Sequence, residues 1–182
     1  ATTVTINKAT QTSISLTSTS GTYNTNILLV ATGGTSSSSY SFSITDAGTA
    51  GCSLAMGPSL TSSSAGSCSV TVTRAGDNNY ESRSSVATLV TFAKDTQNSL
   101  TVHDTSGDLD SGITLSTSGG SGAGVVSYSV TSGTASCAIT SGVVNARFVG
   151  TCSLTTTKAA DVNYLQKQIT NTLTFVKATQ SS

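Results

Sequence analysis

The chain says the same thing twice and starts to say it a third time. Lys8-Ala9-Thr10-Gln11 returns as Lys94-Asp95-Thr96-Gln97 and again as Lys177-Ala178-Thr179-Gln180. Between these marks each stretch carries two cysteines and one Asp-x-Asn-Tyr run, Asp77-Asn78-Asn79-Tyr80 in the first copy and Asp161-Val162-Asn163-Tyr164 in the second. The period of about 84 residues fixes the size of the folding unit, because each repeat has to bury a core of its own. The repeat predicts modules over residues 1–93 and 94–176, with 177–182 opening a further copy. Val4-Thr5-Ile6 matches the last strand of a preceding copy.

A module this small buries only just enough apolar surface to offset its chain entropy, and a covalent staple is a common remedy. Cys52 with Cys68 and Cys137 with Cys152 give each repeat one private pair at nearly the same spacing. Structural zinc needs four ligands close together, and the sequence has no C-x-x-C or Cys/His cluster. One disulfide per module is therefore expected, contributing about 3 kcal/mol by constraining the unfolded chain. Such bonds imply an oxidising compartment outside the cytoplasm.

Serine and threonine number 34 each in 182 residues, while charged residues make up 9% and aromatics 5%, so no thick core of rings is available. What apolar residues there are alternate in short runs, as in strands with one buried face. The copies agree in parity. Ile14 and Leu16 answer to Leu100 and Val102, and Ile27 and Leu29 to Ile113 and Leu115. Tyr40, Phe42 and Ile44 answer to Val126, Tyr128 and Val130, with Tyr40 and Tyr128 taken as counterparts. Cys68, Val70 and Val72 answer to Cys152, Leu154 and Thr156, and Val86, Val90 and Phe92 to Ile169, Leu173 and Phe175. The second cysteine of each pair thus faces inward. About seven strands per module, divided by turns such as Thr32-Gly33-Gly34 and Ser118-Gly119-Gly120, give an all-β fold: two tandem Ig-like antiparallel β-sandwiches, a barrel being the other arrangement. The cysteines are too close in sequence for an antibody-type inter-sheet bridge, so each disulfide is expected to join neighbouring segments and secure a thin edge. Between Phe92 and Leu100 there is no Gly or Pro, which predicts a short extended connector.

Eight basic and eight acidic residues give zero net charge, which argues against nucleic acid or an anionic membrane as partner. No run of 18 apolar residues is present to span a bilayer.

Lys-Ala-Thr-Gln, the early Thr17-Ser18-Thr19-Ser20-Gly21-Thr22-Tyr23, the Gly-Gly turn before a Tyr-Ser strand, and Thr151-Cys152-Ser153-Leu154-Thr155-Thr156-Thr157-Lys158-Ala159-Ala160-Asp161-Val162-Asn163-Tyr164 before a Leu-Thr-Phe strand together resemble the bacterial Ig-like repeats of large secreted or cell-surface proteins, in a variant with paired cysteines. The resemblance spans nearly the whole chain and implies stalks, adhesins and other extracellular arrays. Leu109-Asp110, where the first copy has Tyr23-Asn24, departs from it.

Candidates for chemistry are few. Asp77, Asn79 and Tyr80, with Asp161, Asn163 and Tyr164, offer oxygens to calcium; the plainer reading is a turn in which Asp and Asn satisfy backbone groups while the Tyr ring plugs the sandwich end and its hydroxyl reaches a carbonyl. Asp104, Asp108 and Asp110 beside His103 form the one acidic cluster, a weak metal candidate against the reading of a solvated loop. His103, the lone histidine, has no G-x-S-x-G elbow to serve, and no catalytic residue or cofactor is expected. Lys8, Lys94 and Lys177 recur where isopeptide-forming lysines would need burial beside Asn and a carboxylic acid, and read instead as exposed junction residues. The runs Thr35–Ser39 and Thr61–Ser64 are either O-glycan acceptors or bare loops; no N-x-[ST] sequon occurs.

The expectation is a non-enzymatic extracellular structural array, a stalk, fibre or filament, whose partners are neighbouring repeats and, through self-association, further copies of itself. A second class is an adhesin or carbohydrate- or protein-binding module using sandwich-end loops. Two disulfides lower the non-reducing intact mass by about 4 Da from the reduced value. An isopeptide would remove a further 17 Da or so on the same reading; an unchanged mass sinks the stapling argument.

Overall fold

The computed structural model describes residues 1–131 and 133–178. Thr179 and Gln180 of the third echo lie outside the described residues. The chain divides into two compact units, Ala1–Asp95 and Thr96–Ser182, and every element among the described residues is a strand or a turn.

Unit 1 holds β1 (Ile14–Leu16), β2 (Ser20–Thr22), β3 (Ile27–Leu28), β4 (Ala31–Gly33), β5 (Tyr40–Asp46), β6 (Ser53–Leu54), β7 (Ser59–Thr61), β8 (Gly66–Arg74), β9 (Arg83–Ser84) and β10 (Thr88–Ala93). One sheet runs β2-β10-β8-β5, with β9 also on β8; β3-β7-β6 and the pair β1-β4 make up the remainder. Alternation decides what fills the space between. Ile14 and Leu16 from β1, Ile27, Leu60 from β7, Cys68, Val70 and Val72 from β8, and Val90 and Phe92 from β10 form one buried cluster. A β-sandwich is the result, closed by aliphatic side chains and one buried phenylalanine.

Unit 2 repeats the plan with β11 (Leu100–Val102), β12 (Ser106–Asp108), β13 (Ile113–Thr114), β14 (Thr117–Gly119), β15 (Val126–Thr131), β16 (Cys137–Thr140), β17 (Val143–Ala146), β18 (Gly150–Lys158) and β19 (Lys167–Val176). Its sheets are β12-β19-β18-β15, β13-β17-β16 and β11-β14, and its cluster centres on Val102, Ile113, Val144, Cys152, Leu154, Leu173 and Phe175.

One of the extra elements in each unit comes from a first strand that changes sheets. Ile14–Leu16 pairs antiparallel with β4, and after Thr17-Ser18-Thr19 the chain pairs parallel with β10, Ser20 opposite Thr91 and Thr22 opposite Ala93. Side chains make the switch: Val30 N–H donates to Ser18 Oγ at 2.9 Å and Thr17 Oγ1 donates to Val30 O at 2.9 Å, replacing ladder bonds. Unit 2 does the same, with β12 parallel to β19. The sheets are therefore mixed, and the expected wholly antiparallel pairing is corrected at one parallel pair per unit. The turns at Gly33 and Gly119 need glycine, since at φ of 88° and 84° a Cβ would sit 1.9 and 2.1 Å from the carbonyl oxygens of Ser13 and Ser99.

Both expected disulfides are present, Cys52–Cys68 and Cys137–Cys152. Each joins the outer strand of a smaller sheet to the larger sheet, so they are inter-sheet bridges after all. Cys137 lies on β16 and Cys152 on β18, in different sheets, and Cys52 immediately precedes β6 while Cys68 lies on β8. Each bridge crosses the sandwich, because after the intervening hairpin the chain passes to the larger sheet, from β7 to β8 and from β17 to β18.

Two further expectations are corrected. Val86 does not face inward and is 83% exposed. Arg83 to Thr88 is one residue longer than its counterpart Lys167 to Asn171, so the last strand of unit 1 breaks into β9 and β10 while β19 runs unbroken; one added residue reverses side-chain parity. The two tyrosines are not twins. Tyr40 opposes Arg74 and its counterpart Val126 opposes Lys158, whereas Phe42 opposite Val72 becomes Tyr128 opposite Thr156. β10 ends at Ala93 and β11 begins at Leu100, so the connector is residues 94–99.

The Phe42/Val72 exchange leaves a mark. Tyr128 Oη finds Thr117 Oγ1 at 2.9 Å, but Thr156 is fully buried and its hydroxyl has no partner among the described residues. Thr156→Val, which restores the residue type of Val72, should stabilise the protein by about 1 kcal/mol in urea unfolding. A loss of stability would show that the hydroxyl is satisfied.

Candidate functional site

The repeated motifs converge at one end of each sandwich, and the residue that gathers them is glutamine. Gln11 is 2% exposed. Its Nε2 donates to Arg74 O, Ala75 O and Glu81 O at 3.1, 3.2 and 2.8 Å. Its Oε1 accepts Thr35 N–H and Ser36 N–H at 3.1 and 3.2 Å. Five backbone groups, from the β4–β5 loop and from the end of β8 and the loop after it, thus meet on one amide. The guanidinium of Arg83 donates to Gln11 O, fixing the backbone beneath it. In unit 2 Gln97 Nε2 donates to Ala159 O and Leu165 O, both at 3.0 Å, and Lys167 Nζ donates to Gln97 O at 3.3 Å. Gln97 Oε1 has no donor among the described residues.

Sequence reasoning does not single out these glutamines, although both stand in the echoed tetrad. The lysine draws attention there, and Lys8, Lys94 and Lys177 are all exposed. Exposure removes the buried environment an isopeptide bond requires.

Asp77 works beside Gln11. Its Oδ1 accepts Asn79 N–H and Tyr80 N–H at 2.9 and 3.0 Å, closing an Asx turn, and its Oδ2 accepts Ser37 N–H at 2.9 Å. The Ser37 N–H, then the Asn79 N–H, hold the carboxyl below its ordinary value. Asp161 does the same, with Oδ1 on Asn163 N–H and Tyr164 N–H and Oδ2 on Ala123 N–H. Both carboxylates are committed to backbone donors of two loops, which leaves little of them to offer a cation. Ala9 bridges to Tyr80, with Ala9 N–H on Asn79 O and Glu81 N–H on Ala9 O. Tyr40 Oη donates to Gly33 O at 2.5 Å, under the guanidinium of Arg74.

The serine run beside this end is also structural. Ser36 is buried and its hydroxyl donates to Ala75 O at 2.7 Å, Ser38 Oγ donates to Gly76 O at 2.9 Å, and Thr35 Oγ1 accepts Thr12 N–H at 3.0 Å. Of the run Thr35–Ser39, Ser36 and Ser38 turn their hydroxyls to backbone carbonyls, while Thr35, Ser37 and Ser39 are exposed. In the Thr61–Ser64 run, Thr61 Oγ1 lies 2.7 Å from Ser53 Oγ.

The acidic cluster closes on itself. Asp108 Oδ1 accepts Asp110 N–H at 3.1 Å and both Ser111 N–H and Ser111 Oγ–H at 2.8 Å. The Ser111 backbone N–H, then its hydroxyl, hold the Asp108 carboxyl below its ordinary value. Leu109, the departure noted in sequence, packs against the core of unit 2. Asp104 and His103 are exposed. Among the described residues no three His, Cys, Asp or Glu side chains are grouped to hold a metal.

The geometry is that of a fastening, in which side chains tie loops by their backbones. No protein-family model matches the chain, and no curated protein matches it significantly.

Two outcomes follow from the fastening. Gln11→Ala should destabilise unit 1 by about 3 kcal/mol, since it strands several buried backbone groups, and Gln97→Ala should cost unit 2 less because one side of that amide is already unpaired. Equal losses in urea unfolding would refute the asymmetry. Because the folded Asp77 and Asp108 values are depressed, their contribution is present above about pH 4 and lost as pH falls through the folded values. The thermal midpoint should drop on acidification below that point, and less steeply in Asp77→Asn.

Proposed function

We propose that the chain is a non-catalytic extracellular structural array built from two tandem Ig-like sandwiches, part of a stalk, fibre or filament of the kind the bacterial Ig-like repeats form. One observation carries the reading. In each unit the early strand, β2 or β12, lies parallel to the last strand, β10 or β19. When the two ends of such a unit are pulled apart, the parallel pair is loaded along its length, so its bonds resist together. An antiparallel pair with a free end would open one bond at a time. Thr91 N–H to Thr19 O and Tyr23 N–H to Ala93 O, at 3.0 and 2.8 Å, extend that contact in unit 1, and Thr174 N–H to Thr105 O at 2.9 Å does so in unit 2.

The remaining support is consistent with exposure to an extracellular medium. Two disulfides suit an oxidising environment, and among the described residues no helix is long and apolar enough to cross a membrane. Val4 and Ile6 are 81% and 92% exposed, whereas the residues they match in the echo, Val90 and Phe92, are at 0% and 1%. On this reading residues 1–7 carry the last strand of a neighbouring copy, and neighbouring repeats are the principal partners.

Single-molecule stretching of the whole chain tests the proposal. Two unfolding events are expected, each lengthening by about 50 Å more after reduction, because each disulfide withholds the segment between its cysteines. Unfolding without a resolved force peak would overturn the load-bearing reading.

A further inference from the structure

The turn between the second disulfide strand and its hairpin has the same backbone in both units. In unit 1 Ser63 N–H and Ser64 N–H both donate to Ala50 O, at 3.0 and 3.1 Å; in unit 2 Arg147 N–H and Phe148 N–H both donate to Ala135 O, at 2.9 and 3.0 Å. Both alanines are fully buried. Thr49 Oγ1 accepts Ser67 N–H at 3.1 Å, and Thr134 Oγ1 accepts Thr151 N–H at 3.0 Å. Unit 1 completes this turn with Ser63-Ser64-Ala65. The fold therefore does not require what unit 2 places there, Arg147-Phe148-Val149.

Those side chains face outward at a cost. Phe148 is 54% and Val149 44% exposed, and the Arg147 guanidinium carbon stands 5.5 Å from the centre of the Phe148 ring. Stacking covers one side of the ring and holds the cation in place. Around the triplet Thr134, Ser136 and Thr151 are exposed, so the rim carries hydroxyls and no acidic side chain among those three.

We propose that the Arg147-Phe148-Val149 turn is a contact site for carboxylated saccharides, the uronate class. The planar guanidinium matches a carboxylate with two parallel hydrogen bonds. The open part of the Phe148 ring packs on the C–H face of a pyranose, and the hydroxyl rim exchanges hydrogen bonds with sugar hydroxyls. A protein partner fits less well, because an interface of standard size needs about 800 Å² on each side and this anchor is three residues long. One turn binds weakly; a polymer that meets many copies binds by avidity. The site is independent of the load-bearing reading, which stretching tests separately.

Native affinity electrophoresis of the full chain in gels containing alginate tests it, with neutral dextran and poly-glutamate as controls. Alginate alone should retard the protein. R147S/F148S/V149A, which installs the residues of unit 1, should abolish retardation with the thermal midpoint within about 2 °C of the parent. F148S alone should weaken it about fivefold. S63R/S64F/A65V in unit 1 should strengthen it, so a gain is read as well as a loss. Absence of retardation, equal retardation of the triple variant, or equal retardation by poly-glutamate would each overturn the proposal.

Discussion

A core of aliphatic side chains with one fully buried phenylalanine is thin, and each unit depends on a covalent link that crosses it. Cys68 and Cys152 lie near the start of the long strands β8 and β18, buried among Val70, Val90 and Phe92 in one case and Leu154, Leu173 and Phe175 in the other. Their partners arrive from the opposite layer. The cysteines therefore serve as core residues and as a constraint on the unfolded chain together. The hairpins carrying Cys52 and Cys137 are also the short outer strands of their sheets, which the bridge holds against the larger sheet.

Where the sandwich ends, the chain lacks bulky residues to cover it and uses hydrogen bonds in their place. Gln11, Asp77 and Ser36 each bind backbone groups of a different loop. A polar fastening of this type is stable only when nearly all its members are satisfied, since a buried polar atom left unpaired costs more than a made bond returns. Unit 1 meets that condition. Unit 2 meets it less fully, with Gln97 Oε1, Thr156 Oγ1 and Asn171 Oδ1 unpaired among the described residues.

Much of the fold was legible because the chain contains its own comparison. Two copies sharing inward parity fix the buried face of a strand better than one, and of the apolar residues placed inward only Val86 proved exposed. It failed where the copies differ in length by one residue, a difference that alignment absorbs silently and a pleated strand cannot. The course of the disulfides was missed for another reason: closeness in sequence suggests one sheet, but after a single hairpin the chain passes to the larger sheet, across a sandwich 10 Å or so thick. Gln11 and Gln97 were written in the echo itself. Glutamine has no spacing signature of its own, and only three-dimensional convergence of loops reveals that its amide is the tie.

The same comparison separates residues that hold the fold from residues that do something else. At the glutamine cluster the side chains recur because the backbone groups they satisfy recur. At Tyr128 and Thr156 the side chains differ, and a core hydroxyl is left orphaned, so drift there is paid in stability. At residues 147–149 the backbone bonds recur in full while the side chains change from small and polar to a cation, a ring and a branched aliphatic. Neither explanation covers that exchange: it satisfies no backbone group, and exposing Phe148 and Val149 to water gains nothing for folding. The proposed recognition therefore rests on this departure from the repeat more than on the repeat itself.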